Sequence, residues 1–167
     1  NSLLKSGVCA IGEISSFGSD LEILATSPLK VVLFSEILGS SEQMIDQNLQ
    51  NFLAKFEKTK GYKSKNFTPA ISLHSPYSVH PKLAKAALEI AKKDDLLVST
   101  HFLESKAEKQ WLEHGSGGFK KHLLRFSPDP KPMYDAQGYF AMFREINTLF
   151  THCVYVSDFA KFKPHHS

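Results

Sequence analysis

Three histidines follow apolar runs that have the composition of buried strands. They are His74 in ISLHSPYS, His101 in VSTHFLES and His152 in LFTHCVYVS. One such histidine is more often a hydrogen-bonded structural residue, but three at equivalent strand ends can meet at one rim. Neutral imidazole is also the commonest metal ligand in proteins. The spacing therefore favours a metal or catalytic cluster over three separate structural roles.

Glu104 lies in the same segment as the second of these histidines. Ser105 and Glu108 form a predicted capping box, so Glu104 is expected where a strand passes into a helix. A carboxylate at that point can reach a reacting group and move protons. The alternative is a solvated first-turn glutamate that favours the helix dipole. Glu13 and Glu36 also fall near strand ends, where each could line a pocket or pair with a lysine.

The elements that must position these side chains alternate between two periodicities. Apolar runs rich in β-branched residues predict strands at 8–15, 29–38, 68–74, 96–102 and 148–156. Helical periodicity between them predicts helices at 41–58 and 81–93. Ser40 and Gln43 offer a capping box to the first helix, and Pro81 suits the first position of the second.

Alternation of strand and helix is typical of a parallel α/β sheet, because parallel neighbours need a crossover connection. Periodicity leaves two architectures open, an open doubly wound sheet and part of a (β/α)8 barrel. The region 105–147 is interpreted as an elaborated β–α loop, in which 127–132 separates helical pieces at 121–126 and 139–147.

The bulk composition predicts one globular domain over residues 1–167. The chain has 42% hydrophobic residues and a formal charge of +3 without a dense basic stripe, so we expect neither nucleic acid nor a membrane as partner. The apolar runs are too short to span a bilayer. Cys9 and Cys153 both lie in strand-like runs, which favours a reducing compartment, and the opening residues lack a signal-peptide layout. We therefore predict a cytoplasmic location.

The segments HSPYSVHP (74–81), THFLES (100–105) and THCVYVSD (151–158) resemble, in order and chemistry, the amidohydrolase superfamily. Within it they are similar to the metal-dependent ATZ/TRZ-type branch, which contains chlorohydrolases, cytosine and guanine deaminases and S-adenosylhomocysteine deaminases. The similarity spans nearly the whole chain. HFLES and the following QWLEHGSGGF most resemble the 6-amino-6-deoxyfutalosine deaminases of the alternative menaquinone route.

This resemblance implies a (β/α)8 TIM barrel, of which the chain supplies about strands 2 to 6. It implies one divalent ion, zinc or iron, with manganese as a further option. His101 would be a metal ligand, His152 would orient the attacking hydroxide, and His74 would contact the substrate. Glu104 would contact the substrate and act as the proton shuttle. The implied reaction is the hydrolytic deamination of a purine-type nucleoside through a metal-activated hydroxide.

The chain departs from the family pattern in two places. The family also needs a His-x-His pair on its first strand and an aspartate on its eighth, and neither is present. We therefore expect an internal piece that is inactive by itself, with unpaired sheet edges that favour a homodimer. The alternatives are a chlorohydrolase, another ring deaminase (adenosine, S-adenosylhomocysteine, guanine or cytosine), and a catalytically inactive barrel used for binding.

Overall fold

The computed structural model describes residues 2–125 and 128–166, and five parallel strands form its centre. The strands are β1 (Ala10–Ser15), β2 (Lys30–Ile37), β3 (Phe67–Leu73), β4 (Val98–Phe102) and β5 (Thr148–His152). All five predicted strands are confirmed, with shifts of one or two residues at most ends. The prediction for β5 is wrong at its end, because the strand stops at His152 instead of continuing to residue 156.

The order of the strands decides between the two architectures that the sequence left open. Each strand pairs in parallel with the next one along the chain, in the order β1-β2-β3-β4-β5. A doubly wound sheet reverses its strand order at a switch point, and no reversal occurs among these five strands. The curled sheet is consistent with part of a (β/α)8 barrel, as predicted.

Seven helices lie before or between the strands in the described part of the chain. They are α1 (Ser2–Lys5), α2 (Leu21–Ala25), α3 (Ile45–Lys60), α4 (Pro81–Lys93), α5 (Lys106–His114), α6 (Gly118–Leu123) and α7 (Ala136–Ala141). Short 3-10 turns occupy Glu42–Met44 and Phe159–Lys161. None of the helices described between residues 2 and 166 has both the length and the apolar character that a membrane crossing requires.

The two faces of the sheet carry different residues, because side chains alternate along each strand. Outward-facing Leu33, Ile71 and Val98 are buried in apolar clusters. The inner face instead carries Ser72 and Ser99, which are register partners on β3 and β4. Their buried hydroxyls have no hydrogen-bond partner within the described residues, so the inner face is polar just below the carboxyl ends of the strands.

The helix starts confirm one sequence prediction and correct another. At α4, Nδ1 of His80 accepts a hydrogen bond from the backbone N–H of Lys82, and Pro81 is the first helical residue as predicted. The predicted Ser40–Gln43 capping box is wrong. The helix α3 begins only at Ile45, after the 3-10 turn, in which the backbone N–H of Met44 donates to the carbonyl of Ser41. Oε1 of Gln43 accepts from the hydroxyl of Ser41, so it is not available to Ser40.

The long connection between β4 and β5 contains α5, α6 and α7. The helical piece predicted at 139–147 is displaced, because α7 begins at Ala136 and ends at Ala141. Asp135 accounts for the earlier start, since its carboxylate accepts a hydrogen bond from the backbone N–H of Gly138. The other predicted piece, 121–126, overlaps α6 only at 121–123. Its last residue and the first residue of 127–132 lie outside the described residues.

Candidate active site at the carboxyl ends of the strands

The structure brings His74, His101 and His152 together at the carboxyl ends of β3, β4 and β5. The rings of His74 and His101 have centroids 5.4 Å apart, and those of His101 and His152 have centroids 5.0 Å apart. Nδ1 of His101 lies 3.1 Å from Nε2 of His152. The backbone N–H of His101 also donates to the carbonyl of His74 at 3.0 Å, which continues the β3–β4 register to the rim.

Strand alternation accounts for two of these orientations and a backbone distortion for the third. His74 and His101 share the inward parity of Ser72 and Ser99. His152 pairs in register with outward-facing Phe102, but its φ is +73°, in the left-handed region that non-glycine residues seldom adopt. This break in the strand turns the imidazole of His152 towards His101.

The distortion at the end of β5 continues into the next residue. Cys153 also has a positive φ, of +52°, and its backbone N–H donates to the carbonyl of Phe102 at 2.9 Å. The backbone N–H of Tyr155 donates to the carbonyl of Leu103 at 3.1 Å. These bonds to the end of β4 hold the strained segment in place, as is common where backbone strain occurs at functional sites.

Glu36, on β2, joins the cluster. Three potential ligand atoms lie within 4.8 Å of one another, one each from Glu36, His74 and His101. The Ser16 hydroxyl donates to Oε2 of Glu36 and orients the carboxylate. The Glu36 carboxylate and the His101 imidazole are both donors that catalytic zinc sites use, so the residues present fit a divalent ion.

Sequence reasoning left Glu36 undecided between lining a pocket and pairing with a lysine. The position of Glu36 near the end of a predicted strand was the only indication in the sequence. The register pairs Glu36 with inward-facing Ser72, so its side chain faces the histidines. Glu13 has the outward parity of Ile11, which packs in an apolar cluster, and it lies away from the histidines.

A lysine does lie beside Glu36, but it binds backbone carbonyls. Nζ of Lys55 donates to the carbonyls of Ser15 at 3.2 Å, Ser16 at 2.7 Å and Glu36 at 2.7 Å. Burial lowers the pKa of Lys55, and the nearby charge of Glu36 opposes that shift. Lys55 therefore ties the ends of β1 and β2 together at the level of the Glu36 carboxylate.

Glu104 lies on the opposite side of the cluster, with its side chain about half exposed. Its Oε2 is 3.8 Å from Nε2 of His152. This distance permits an ion pair when the imidazole is protonated, and it leaves the carboxylate free to meet a ligand from the open side. The structure thus places the predicted proton shuttle next to the predicted hydroxide-orienting histidine.

The capping box that was predicted to position Glu104 is half confirmed. Oγ of Ser105 accepts a hydrogen bond from the backbone N–H of Glu108 at 3.1 Å, as expected. The Glu108 carboxylate, however, accepts from the N–H of Leu103 at 3.0 Å and from the N–H of Glu104 at 2.8 Å. Leu103 has a φ of +48°, so the buried Glu108 holds a strained turn that carries Glu104.

The electrostatic surroundings keep His101 in the form that binds metals. Partial burial is the main cause that lowers the pKa of His101, and the neighbouring His74 and His152 lower it further. The carboxylates of Glu104 and Glu36 oppose this shift. A neutral imidazole with a free lone pair is the form that coordinates a cation.

His74 is held by two serines of the turn that follows it. Its Nδ1 lies 3.1 Å from Oγ of Ser75 and 2.6 Å from Oγ of Ser78. Beside this turn lies a cleft of about 670 Å³, with Ser78, Tyr77 and Phe119 among its lining residues. Tyr77 and Phe119 have ring centroids 4.5 Å apart and give the cleft an aromatic wall.

Four of the other five histidines are not part of this cluster, and one lies beside it. His80 caps α4, His114 ends α5, and Nε2 of His166 lies 3.1 Å from the carbonyl of Phe143. The ring of His165 packs against that of His166. His122 lines the cleft beside His74, a placement that its sequence position in a long connection did not predict.

Comparison with known proteins gives a consistent family assignment. The model of the amidohydrolase family matches residues 2–166. The aminodeoxyfutalosine deaminase of a Nitratiruptor species is 44% identical over 158 residues, which cover 95% of this chain and 39% of the relative. Adenosine deaminase of Helicobacter pylori is 38% identical over 157 residues, which cover 92% of this chain and 38% of the relative.

Solved structures agree with this assignment. The crystal structure of Helicobacter pylori aminofutalosine deaminase superposes with a TM-score of 0.86 at 37% identity, over 92% of this chain and 39% of that protein. A second crystal structure of that deaminase, in complex with methylthio-coformycin, has a TM-score of 0.85. The chain thus spans about two fifths of the length of the relatives it matches.

Proposed function

The chain belongs to the amidohydrolase family, and from this we propose that the whole protein is a metal-dependent deaminase of a purine-type nucleoside. One observation carries the proposal. His74, His101 and His152 converge with Glu104 at the carboxyl ends of three neighbouring parallel strands, where (β/α)8 barrels hold their active sites.

The proposed cofactor is one divalent ion, zinc or iron, with manganese also compatible with such ligands. We propose His101 as its ligand from this chain. Among the described residues, Glu36 and His74 also place potential ligand atoms within 4.8 Å of the ligand atom of His101. When bound, a divalent cation lowers the pKa of a water molecule enough to supply a hydroxide nucleophile near neutral pH.

The proposed reaction replaces a ring amino group by oxygen. The oxygen of water bonds to the ring carbon, a ring nitrogen is protonated, and the C–N bond to the amine breaks to release ammonia. In this scheme the Glu104 carboxylate takes one proton of the attacking water and gives it to the ring nitrogen. It then takes the second proton, from the hydroxyl of the tetrahedral adduct, and gives it to the departing amine. His152 orients the nucleophile, and His74 donates a hydrogen bond to the substrate.

The proposed substrate is a 6-aminopurine nucleoside such as 6-amino-6-deoxyfutalosine, which would place the protein in menaquinone biosynthesis. The names of its relatives support a 6-amino compound, since one is an aminodeoxyfutalosine deaminase and another an adenosine deaminase. The cleft of about 670 Å³ beside His74 gives room for a substituent beyond the nucleoside. Both cysteines are free, which supports a cytoplasmic location.

The main alternatives use the same site. A chlorohydrolase or a deaminase of adenosine, S-adenosylhomocysteine, guanine or cytosine would use the same cluster on another ring, because the barrel does not determine the substrate. A binding protein with an inactive barrel would retain the fold without a stoichiometric ion.

Two measurements on the full-length protein test the proposal. Metal analysis of the purified protein is expected to give about one divalent ion per chain. The loaded protein is then incubated with adenosine, S-adenosylhomocysteine, 6-amino-6-deoxyfutalosine, guanine, cytosine and a chlorinated triazine, while ammonia, chloride and the ultraviolet spectrum are followed.

We expect release of ammonia, with the highest kcat/KM on 6-amino-6-deoxyfutalosine. Loaded protein that releases no ammonia from any 6-aminopurine nucleoside would contradict the proposal. Chloride release from the triazine would then favour the chlorohydrolase, and protein that neither retains metal nor turns over any compound would favour the binding barrel.

A further inference from the structure

We propose that Ser78 fixes the tautomer of His74, so that this ring faces the substrate as an N–H donor and does not coordinate the metal ion. The inference deepens the proposed function, on which its catalytic readout rests. Its spectroscopic readout is independent of any activity.

The inference starts from a closed triangle of polar atoms. Nδ1 of His74 lies 2.6 Å from Oγ of Ser78 and 3.1 Å from Oγ of Ser75. The two serine oxygens are themselves 2.6 Å apart. Oγ of Ser78 is also 3.3 Å from the carbonyl of Ser75, which is a longer and weaker contact.

The hydroxyl hydrogen of Ser75 must reach an acceptor within the protein, because Ser75 is fully buried, whereas Ser78 is only partly buried and its direction of donation follows from distance. A contact of 2.6 Å falls within the usual range for an O–H donor and below the usual range of about 2.7–3.2 Å for an N–H donor. The hydroxyl of Ser75 therefore donates to Oγ of Ser78, and the hydroxyl of Ser78 donates to Nδ1 of His74.

This arrangement determines which ring nitrogen carries the proton. A neutral imidazole has one N–H and one lone pair, so an accepting Nδ1 leaves the proton on Nε2. A protonated Nε2 has no lone pair for a metal ion. His74 is therefore excluded from the donor set, although its ring lies within 4.8 Å of ligand atoms of Glu36 and His101. Its Nε2–H remains available to an acceptor atom of the substrate.

The backbone holds Ser78 in the position that this role requires. The N–H of Ser78 donates to the carbonyl of Ser75 at 3.2 Å and closes the turn that Pro76 stiffens. The carbonyl of Ser78 accepts from the N–H of Gly39 at 2.8 Å, on the loop after β2. Ser78 is thus anchored from both sides, and we assign it as a positioning residue that acts through His74.

The first experiment is nitrogen NMR on zinc-loaded full-length protein with ¹⁵N-labelled histidine. The His74 signals are assigned by comparison with the His74→Asn variant. We expect Nδ1 to have the shift of an unprotonated nitrogen that accepts a hydrogen bond, and Nε2 that of a protonated nitrogen. A zinc-bound or unprotonated Nε2 overturns the proposal.

The second experiment measures turnover in serine variants. The Ser75→Ala/Ser78→Ala variant is expected to lose about tenfold in kcat/KM, through one hydrogen bond to the substrate that is no longer pre-oriented. Its zinc content should be unchanged, and Ser75→Ala/Ser78→Thr, which returns the hydroxyl at position 78, should restore both kcat/KM and the NMR pattern. Ser64→Ala is the matched control, at the opposite end of β3 and far from His74.

Each outcome has one interpretation. If the double variant keeps the wild-type tautomer and the wild-type kcat/KM, Ser78 does not position His74. If the double variant loses zinc, His74 is a ligand and the proposal is wrong. If wild-type protein shows the expected NMR pattern but acts on no nucleoside, the tautomer assignment stands and the proposed function fails.

Discussion

Nδ1 of His101 and Nε2 of His152 lie 3.1 Å apart, within hydrogen-bonding distance across the carboxyl ends of β4 and β5. Each neutral imidazole has one N–H and one lone pair, so one ring donates to the other. The other nitrogen of the donor ring then has a lone pair, and the other nitrogen of the acceptor ring carries a proton. This pair therefore suits one metal ligand and one group that handles protons, which is the division of roles proposed above.

The first prediction separates the roles of these two histidines. In the full-length protein, His101→Asn is expected to lower the metal content to well below one ion per chain, because a ligand is lost. His152→Asn should retain the metal and lower kcat about 10²-fold or more. Elemental analysis and steady-state kinetics measure the two effects. His114→Asn, at the exposed end of α5, is the control and should change neither. A His101→Asn variant with stoichiometric metal would contradict the assignment.

The second prediction concerns the carboxylate that moves the proton. Glu104→Gln keeps the size of the side chain and removes its basicity, so kcat is expected to fall about 10²–10⁴-fold with unchanged metal content. Glu113→Gln is the matched control on the neighbouring helix α5, and its kcat should equal that of the wild type. Normal turnover by Glu104→Gln would remove Glu104 from the mechanism.

The third prediction tests the support beneath Glu104. The Glu108 carboxylate accepts hydrogen bonds from two backbone N–H groups. In Glu108→Gln the side-chain NH2 would face one of these N–H groups and could not accept from it, so we expect the protein to be destabilised by about 1–3 kcal/mol. The turn at Leu103, with its positive φ, should then relax and displace Glu104, so kcat should fall as well. Urea unfolding and kinetics measure both effects. Glu89→Gln, exposed on α4, serves as the control. Unchanged stability and unchanged kcat would show that the carboxylate does not hold the turn.

The fourth prediction concerns pH and the two thiols. Burial raises the pKa of the Cys153 thiol to about 11, so this thiol stays protonated at pH 8 and the reactive thiolate is scarce. Cys9 is exposed. We expect iodoacetamide at pH 8 to modify Cys9 first, and modification of Cys153 to become faster as the pH rises towards 11. Peptide mapping by mass spectrometry measures both rates, and urea should remove the difference. Equal rates in the native protein would contradict the burial of Cys153.

The sequence determined the strands and the place of the three histidines. The preference of a β-branched run for a strand can be read from its own residues, and a helix between two such runs favours parallel pairing. Because parallel strands end at one edge, residues that follow β3, β4 and β5 must lie near one another. His74 and His101 could therefore be placed at one rim, and the resemblance of HSPY, HFLE and THC to one family agreed with that placement.

The tertiary structure decided what depends on contacts between distant segments. The sequential strand order selected a barrel over a doubly wound sheet, and the register turned Glu36 towards the histidines, where Ser16 from β1's end orients its carboxylate. The positive φ of His152 reversed the direction that strand alternation gives it. Local sequence patterns encode periodicity, whereas register, strain and hydrogen bonds between strands depend on which neighbours the chain meets after it folds. The cluster's general location was therefore predictable, but its composition and the orientation of its members were not.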